Sequence, residues 1–388
     1  TVTRFPVVHL QPARSSLQNL NHILEDACIL YNVSEKKSSL IFWFYNLTKG
    51  CDVCMSTRPK TEYSSSNATT GSKFISSFSE FTKKYTSLVA IFLLGLIFSI
   101  LVPEYFLTWN NLSNILLQAS TIAIVAIGQA LVLTTGQFDL SLGQIVCVTS
   151  IVGAILMKTY GMSTWLALLI VLLLGAGIGL VNGILFAYCG IPAFIATLGV
   201  QNICRGTAKL ITSATPIARL PENMAFIGRG YVGPIPVSVI IMIILYAIVQ
   251  FVSQNTKLGR NLYAIGGNSE AAFFAGVDIK KYYCVSFVLA GFFAALGGIV
   301  LMSRLNSVSI TNGNLYEFDA VIASIVGGIS LTGGKGKIIG AMFGSIFLIL
   351  FFNGMTMFNV DPFVQDILKG VVLIVAIGID VFRNRQTV

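Results

Sequence analysis

Long apolar stretches that carry almost no charge dominate this chain and restrict what it can fold into. Residues 230–254 and 338–360 contain no charged side chain, and residues 86–157 contain only Glu104 and Asp139. About 20 consecutive apolar residues are enough to cross the hydrocarbon core of a bilayer as a helix. Of the 388 residues, 55% are hydrophobic and only 11% are charged, which is too little charge to cover the surface of a soluble domain. We therefore expect an all-α membrane protein that crosses the bilayer many times.

Ten candidate membrane segments follow residue 85. The third, eighth and ninth are shorter than a full span, so we expect them to be tilted or re-entrant. In chain order the segments cover residues 86–103, 114–135, 143–158, 163–188, 192–213, 235–252, 283–303, 318–332, 337–353 and 365–382.

The distribution of Lys and Arg predicts the orientation of these spans. With ten spans, both ends of the chain lie on one side of the membrane. That side carries thirteen Lys and Arg residues, and the other side carries six, with Lys369 inside the last span. Because loops rich in Lys and Arg stay in the cytoplasm, we expect a bacterial inner-membrane protein with both termini cytoplasmic. The same bias explains the net charge of +9 without a nucleic-acid partner.

The N-terminal region differs from the rest of the chain. Residues 1–54 show no clear periodicity, and the first methionine is Met55. We expect that translation begins at Met55 and that residues 1–54 are not part of the native protein. Residues 55–85 then form a cytoplasmic tail, and residues 86–388 form the transmembrane domain.

Metal or acid–base chemistry is not indicated by the sequence. Both histidines, His9 and His22, precede Met55, so the membrane region has no His ligand or His-based catalytic group. Cys51 and Cys54 form a lone C-x-x-C pair, which is weak support for a zinc or redox site without a second pair nearby. We expect no catalytic residue, no metal site and no cofactor bound by this chain.

An internal echo suggests two pseudo-symmetric halves. The sequence DLSLG ends at Gly143 and SLTGG ends at Gly334, 191 residues later. Ten residues after each of these glycines the chain has another Gly followed by a small residue, Gly153-Ala154 and Gly344-Ser345. A later span then begins at a proline, Pro192 or Pro362. Duplicated halves with Gly-interrupted helices are typical of transporters and place the pathway at their interface. The alternative is a chance match between two turns in a chain with 36 glycines.

The longest hydrophilic stretch of the membrane region is residues 253–282. The orientation places it in the cytoplasm as a loop. Its glycines, Gly259, Gly266 and Gly267, are predicted to break helices.

A short helix is predicted within this loop. Asn268 or Ser269 can cap it, and Glu270 lies in its first turn, where a carboxylate favours the helix dipole. The helix covers residues 270–275 and ends at Gly276. Such a helix, presenting Ala and Phe, is too short to fold alone and suits a groove on a partner protein. The alternative is an ordinary cytoplasmic loop.

Several motifs occur in an order that is similar to a known family. Residues 86–388 resemble the permease subunits of ABC importers for ribose, xylose and related monosaccharides, a family that also takes in quorum-signal furanosides. The motifs are Gly136-Gln-Phe-Asp-Leu-Ser-Leu-Gly143, Ile191-Pro-Ala-Phe-Ile-Ala-Thr-Leu-Gly199, Gly259-Arg-Asn-Leu-Tyr-Ala-Ile-Gly-Gly-Asn268-Ser-Glu-Ala-Ala272 and the glycines Gly327, Gly328 and Gly340. The family usually has Gly-Gly-Ile before the Asp, where this chain has Gly136-Gln137-Phe138, so the resemblance does not specify the sugar.

The resemblance implies a type II-like ABC importer permease that works as a dimer with itself or a sister permease. Its expected partners are two ABC-type ATPases, which bind ATP and Mg²⁺, and an extracytoplasmic sugar-binding protein. The stretch from Gly333 to Lys337 lacks the spacing and the final Ser or Thr of a phosphate-binding loop, so this chain does not hydrolyse ATP. The loop that resembles the family's coupling helix contains Gly259, Arg260, Gly266, Gly267, Asn268, Glu270, Ala271, Ala272 and Gly276.

Polar residues in or beside the spans are candidates for the translocation pathway. Ionisable groups in a bilayer are costly and are usually paired or functional. Asp139 and Asp319 could instead cap helices, and Gln129 and Asn182 could simply bond neighbouring helices. The candidates are Gln118, Gln129, Asp139, Ser141, Gln144, Asn182, Asn202, Asn306, Glu317 and Asp319.

Two other functions remain open from the sequence. A branched-chain amino-acid ABC permease belongs to the same superfamily. An ion-coupled secondary transporter would need an ion relay through several spans, for which Asp139, Glu317 and Asp319 are the available carboxylates.

Overall fold

The computed structural model describes residues 86–385, so the expectations for residues 1–54 and for the tail at 55–85 lie outside the described part. This part is almost entirely helical. Its α-helices are α1 (Thr86–Leu101), α2 (Pro103–Phe106), α3 (Trp109–Thr134), α4 (Leu142–Lys158), α5 (Thr164–Ala187), α6 (Ala193–Thr212), α7 (Ala225–Arg229), α8 (Val237–Asn255), α9 (Lys257–Gly267), α10 (Ser269–Phe274), α11 (Ile279–Leu305), α12 (Tyr316–Val326), α13 (Ile338–Met357) and α14 (Pro362–Arg385).

Each of the ten predicted membrane segments corresponds to one helix, namely α1, α3, α4, α5, α6, α8, α11, α12, α13 and α14. Six of these are long and apolar enough to cross a membrane, and α1 and α4 are shorter apolar helices. These helices and their composition are those of a multi-pass membrane protein. The all-α fold class is thereby confirmed.

Two segment lengths differ from the prediction. The eighth segment was expected to reach residue 332, but α12 ends at Val326 because Gly327 follows and Gly328 adopts a φ of 91°. The ninth segment was expected to be short. It is a full-length helix, because α13 continues through residues 354–357 to Met357.

Helix α3 lies at the centre of the bundle, and α14 lies at its periphery. In the most apolar part of α3, 83% of the residues are buried inside the protein, whereas in α14 the buried residue is Ala376, which packs against Val321 and Ile325 of α12. The main core cluster joins residues of α3 to residues of α4, α8, α11, α12 and α13. The remaining apolar surface of α14 is suited to lipid or to another membrane helix.

Helices α5 and α11 pack backbone to backbone through glycines. Gly175, Gly179 and Gly183 recur every four residues along one face of α5. A Cβ built on any of them would overlap the backbone of α11, and Gly291 of α11 lies against Gly175 in return. Small residues at this spacing allow the close approach that substitutes for hydrophobic driving force in a membrane.

The two ends of the bundle are built differently. Helix α11 has 27 residues, so its ends are about 40 Å apart. At its C-terminal end, strand β1 (Ile217–Ala218) pairs antiparallel with β4 (Ser307–Val308), with Ile217 opposite Val308. A second ribbon pairs β2 (Tyr231–Val232) with β3 (Ile235–Pro236). At the other end lie α9 and α10, so we name this the α9 end.

The hydrophilic stretch at 253–282 is mostly helical. Gly259 and Gly266 lie inside α9, and Gly267 is its last residue. The prediction that these glycines break the helix is therefore wrong for Gly259 and Gly266. They serve close packing instead, since a Cβ on Gly259 would overlap the backbone of Ser253 and one on Gly266 would overlap the carbonyl of Thr134.

Candidate functional site

Three of the predicted pathway residues form one buried cluster. Asp139 and Ser141 lie in the non-helical segment that joins α3 to α4, and Asn182 lies near the end of α5. Asp139 Oδ1 accepts hydrogen bonds from the Ser141 amide at 2.8 Å and from the Ser141 hydroxyl at 2.6 Å. The Asn182 side-chain amide donates to Asp139 Oδ2 at 3.2 Å and to Ser141 Oγ at 2.8 Å.

The cluster is fully removed from the surface of the protein, with all three residues at 0% exposure. A buried carboxylate needs such donors because its desolvation is otherwise uncompensated. The N-cap of α4 is Ser141, whose hydroxyl accepts no hydrogen bond from the amides of that helix and instead donates to Asp139. Asp139 therefore organises the turn before α4 and does not cap the helix.

A second buried carboxylate lies beside the start of α4. Glu317 is 2% exposed, and its Oε1 accepts a hydrogen bond from Gln201 of α6 at 3.0 Å. A Cβ on Gly143 would overlap Glu317 Oε2. The absence of a side chain at Gly143 therefore makes room for the carboxylate, which lies where α4, α6 and α12 meet.

Asp319 is paired instead of capping α12. Lys369 of α14 places its Nζ 3.4 Å from Asp319 Oδ2, and the Asp319 side chain is 3% exposed. The same Nζ lies 5.2 Å from the centroid of the Phe352 ring. The N-cap of α12 is Leu315, which makes no side-chain bond. The pair ties the peripheral helix α14 to the bundle.

Gln129 and Asn306 lie apart from these carboxylates. Gln129 is fully buried in α3, and its side-chain amide has no hydrogen-bond partner among the described residues. Asn306 ends α11 with a φ of 52°. Its carbonyl accepts from the Arg219 amide at 3.0 Å and its Oδ1 accepts from the Leu220 amide at 3.2 Å. Asn306 thus holds the loop beside β1.

Helix α10 has a defined beginning. The Asn268 side chain accepts a hydrogen bond from the Ala271 amide at 2.9 Å. Of the two residues predicted to cap the helix, Asn268 and Ser269, the N-cap is therefore Asn268. Glu270 lies in the first turn. Such a cap satisfies an amide that the helix itself leaves unpaired.

Its end is equally well defined. The Val277 amide bonds the Ala272 carbonyl at 3.0 Å, and the Gly276 amide bonds the Phe273 carbonyl at 2.9 Å. Gly276 has a φ of 81°. This pair of bonds around a left-handed glycine is the Schellman ending. The prediction that Gly276 ends the helix is confirmed.

The exposed face of α10 is apolar. Ala272 is 5% exposed and anchors the helix, while Phe273 is 64% and Phe274 is 85% exposed. Glu270 and Ala271 are exposed beside them. Two neighbouring exposed phenylalanines on a rigid helix outside the long spans are a feature of interaction surfaces.

A polar cavity of about 480 Å³ lies between α9, α10 and the loops that follow α3 and α12. Gln137, one of the two residues at which the sequence departs from the family pattern, lines this cavity together with Asn268, Glu270 and Thr332. The arrangement places Gln137 beside α9 and α10, on a different side of the 135–141 segment from the buried Asp139.

The pathway prediction missed Gln201 and Lys369, which are the partners of Glu317 and Asp319. The signal for both was their position inside membrane segments, where a polar side chain requires a partner. Which partner each one takes depends on helix packing and was not readable from spacing. Asn202 uses its side-chain amide to donate a hydrogen bond to the Leu198 carbonyl in its own helix at 2.9 Å, so this amide is not a partner of the carboxylates.

Comparisons with known proteins agree with this architecture. The family described as branched-chain amino acid transport system / permease component matches residues 111–377. The ribose import permease RbsC of Escherichia coli K12 is 37% identical over 298 residues, which cover 76% of this chain and 92% of that protein. No solved structure matches this chain.

Two further relatives from the same organism have related names. The D-allose transport system permease AlsC is 34% identical over 305 residues, covering 78% of this chain and 93% of that protein. The galactose/methyl galactoside import permease MglC is 36% identical over 293 residues, covering 71% and 87% respectively. This chain therefore belongs to the permease family of that description and is a relative of the sugar import permeases.

Proposed function

We propose that this chain is the permease subunit of an ATP-driven sugar importer in the bacterial inner membrane. The observation that carries the proposal is the near full-length similarity to import permeases for ribose, allose and galactose. The substrate class is a monosaccharide or a related small polar solute. The family description names branched-chain amino acids, but the relatives above all carry sugar names.

The energy source in this proposal is a separate ATPase. The exposed Phe273 and Phe274 on the capped helix α10 suit a groove on that partner. ATP and Mg²⁺ belong to the ATPase, and this chain binds no cofactor. A binding protein delivers the sugar at the opposite end of the bundle, and a second permease copy or a sister completes the complex.

The orientation in this proposal places the α9 end in the cytoplasm, with both termini on that side. The support is the excess of Lys and Arg in the loops and terminal tails assigned to that side, thirteen against six, which agrees with the rule for inner-membrane proteins. Labelling of an engineered Cys at residue 274 by an impermeant reagent is expected only after the membrane is opened. Labelling in intact spheroplasts would contradict the orientation.

An ion-coupled secondary transporter fits the buried carboxylates less well. Asp139 accepts three hydrogen bonds from Ser141 and Asn182, and Asp319 is paired with Lys369. Each carboxylate is thus engaged by its own fixed partners, whereas a relay needs groups that exchange an ion with one another.

The test is uptake in proteoliposomes that contain the permease, its ATPase and its binding protein. We expect uptake of labelled ribose, allose or galactose with ATP inside the compartment where the ATPase lies. Labelled leucine serves as the control for the amino-acid alternative. Sugar uptake driven by a proton or sodium gradient without ATP would contradict the proposal.

A further inference from the structure

Helix α9 touches the loops of both predicted halves through backbone atoms. The first loop is the 135–141 segment after α3, and the second is the 327–337 segment after α12. The Gly334 amide donates a hydrogen bond to the Thr134 carbonyl at 3.0 Å, which joins the second loop to the end of α3, where the first loop begins. Gly266 of α9 lies against both of these groups.

The contact leaves no room for a side chain. A Cβ on Gly266 would overlap the Thr134 carbonyl oxygen and would lie 2.5 Å from the Gly334 nitrogen. Real Cβ atoms do not approach backbone atoms so closely, and backbone cannot move aside by changing a rotamer.

The same packing continues on the loop side. A Cβ on Gly333 would lie 2.6 Å from the Gly136 nitrogen and 2.9 Å from the Gly266 Cα, and one on Gly334 would lie 2.6 Å from the Gly267 Cα. Gly136, Gly333 and Gly334 also have positive φ values of 77°, 82° and 69°. We name the contact of Gly136, Gly266, Gly333 and Gly334 the glycine junction.

Side chains reinforce the junction from outside. The Tyr263 hydroxyl of α9 donates to the Gly336 carbonyl at 2.9 Å. Gln250, near the end of α8, accepts a hydrogen bond from the Ile339 amide at the start of α13 at 2.8 Å. Burial raises the pKa of Tyr263 to about 12, so its hydroxyl stays protonated and able to donate.

The loops lead from the junction to the buried carboxylates. The first loop carries Asp139 and Ser141, and the second loop directly follows α12, which carries Glu317 and Asp319. A displacement of α9 can therefore reach Asp139 through the first loop, and it can reach Glu317 and Asp319 through the second loop and along α12, in whose first turn they lie. The DLSLG motif (residues 139–143) begins in the 135–141 segment, and the 327–337 segment contains SLTGG (residues 330–334).

We propose that the glycine junction is the rigid link through which movement of α9 displaces the 135–141 and 327–337 loops together. Gly266 is then a positioning residue for transport. This inference rests on the proposed function, because α9 is moved by the ATPase that docks on α10. Backbone-to-backbone contact transmits displacement without loss, since there is no side chain between the elements to absorb it.

The experiment compares sugar uptake with ATP hydrolysis in the reconstituted complex. We expect Gly266→Ala to keep the ATPase bound and ATP hydrolysis within about twofold of wild type, while sugar taken up per ATP falls about tenfold. The matched control is Gly177→Ala, a helical glycine of α5 whose Cβ would meet nothing within 4 Å, and its uptake per ATP is expected to equal that of wild type.

Tyr263→Phe keeps the proposal testable if Gly266→Ala does not fold. It removes one hydrogen bond without adding an atom to the junction, and we expect sugar per ATP to fall about threefold. A normal ratio in Tyr263→Phe, or normal uptake in Gly266→Ala, would overturn the proposal. Loss of ATPase binding by a folded Gly266→Ala protein would also overturn it, because Gly266 would then act in docking. Failure of the wild-type complex to import sugar with ATP would contradict the proposed function instead.

Discussion

The Asn182 side chain donates a hydrogen bond to Asp139 at 3.2 Å and joins two fully buried residues that are 43 positions apart. The bond connects the end of α5 to the non-helical segment before α4. Asp139 holds the Ser141 amide and hydroxyl with its other oxygen, so one carboxylate positions the loop that leads into α4. The position of this loop depends on a helix from a different part of the chain.

Asn182→Ala is expected to lower the free energy of unfolding by about 2 kcal/mol, because it leaves a buried carboxylate with one donor fewer. The measurement is the midpoint of unfolding by sodium dodecyl sulfate in mixed micelles. Asn255→Ala is the control, since Asn255 is exposed at the end of α8 and its side chain bonds only the Phe251 carbonyl there. Equal midpoints for the two variants would show that the Asp139 cluster does not depend on Asn182.

Lys369→Met is expected to destabilise the protein by about 2 kcal/mol, since it leaves Asp319 buried without its cation. Removing one member of a buried pair costs about 3–5 kcal/mol, and the 26% exposure of the Lys369 side chain reduces this figure. The double variant Asp319→Asn with Lys369→Met is expected to recover at least half of the loss. A double variant less stable than Lys369→Met alone would contradict a pairwise role.

Gly143→Ala is expected to reduce the yield of folded protein, because its Cβ would overlap Glu317 Oε2 and the Gly313 carbonyl. Overpacking of this kind costs about 1–3 kcal/mol or more. The control is Gly206→Ala in α6, where nothing lies within 4 Å of the Cβ position. Monodisperse elution on size-exclusion chromatography after mild heating distinguishes the variants. Equal recovery would show that Glu317 moves away freely.

Substitutions on the exposed face of α10 are expected to separate docking from folding. Ala271→Arg and Phe274→Ala should reduce copurification of the ATPase about tenfold or more, as for the central residues of an interface, while the permease stays folded. Ala272 is 5% exposed, so a change to Arg there would disturb the helix itself and is not a clean test.

Phe251→Ala is the control for this surface. Phe251 is 64% exposed on α8, in a segment apolar enough to face lipid, and its removal is expected to leave ATPase binding unchanged. Normal copurification of the Phe274→Ala protein would contradict the docking role of α10.

The apolar runs predicted the helices well because length and hydropathy are local properties. All ten segments contain a helix, and the Gly276 ending and a cap at Asn268 or Ser269 were readable from a few consecutive residues. The role of Gly259 and Gly266 was not readable from the sequence, because the role of a glycine inside a helix depends on what packs against it. The sequence suggested breaks where the structure shows contacts with Ser253 and Thr134.

The sequence by itself determined that the chain is a membrane protein with about ten membrane segments. A bilayer accepts only segments whose backbone bonds are internal, so composition and length are sufficient for this conclusion. The permease family was indicated separately, by the resemblance of ordered motifs such as residues 136–143 and 259–272. Only the tertiary structure decided that Asn182 donates a hydrogen bond to Asp139 and that Gln201 donates one to Glu317. It also decided that Lys369 pairs with Asp319 and that Gly266 packs between Thr134 and Gly334. The physical reason is that these relationships depend on distances between helices far apart in the chain, which side-chain type and spacing along one helix do not specify.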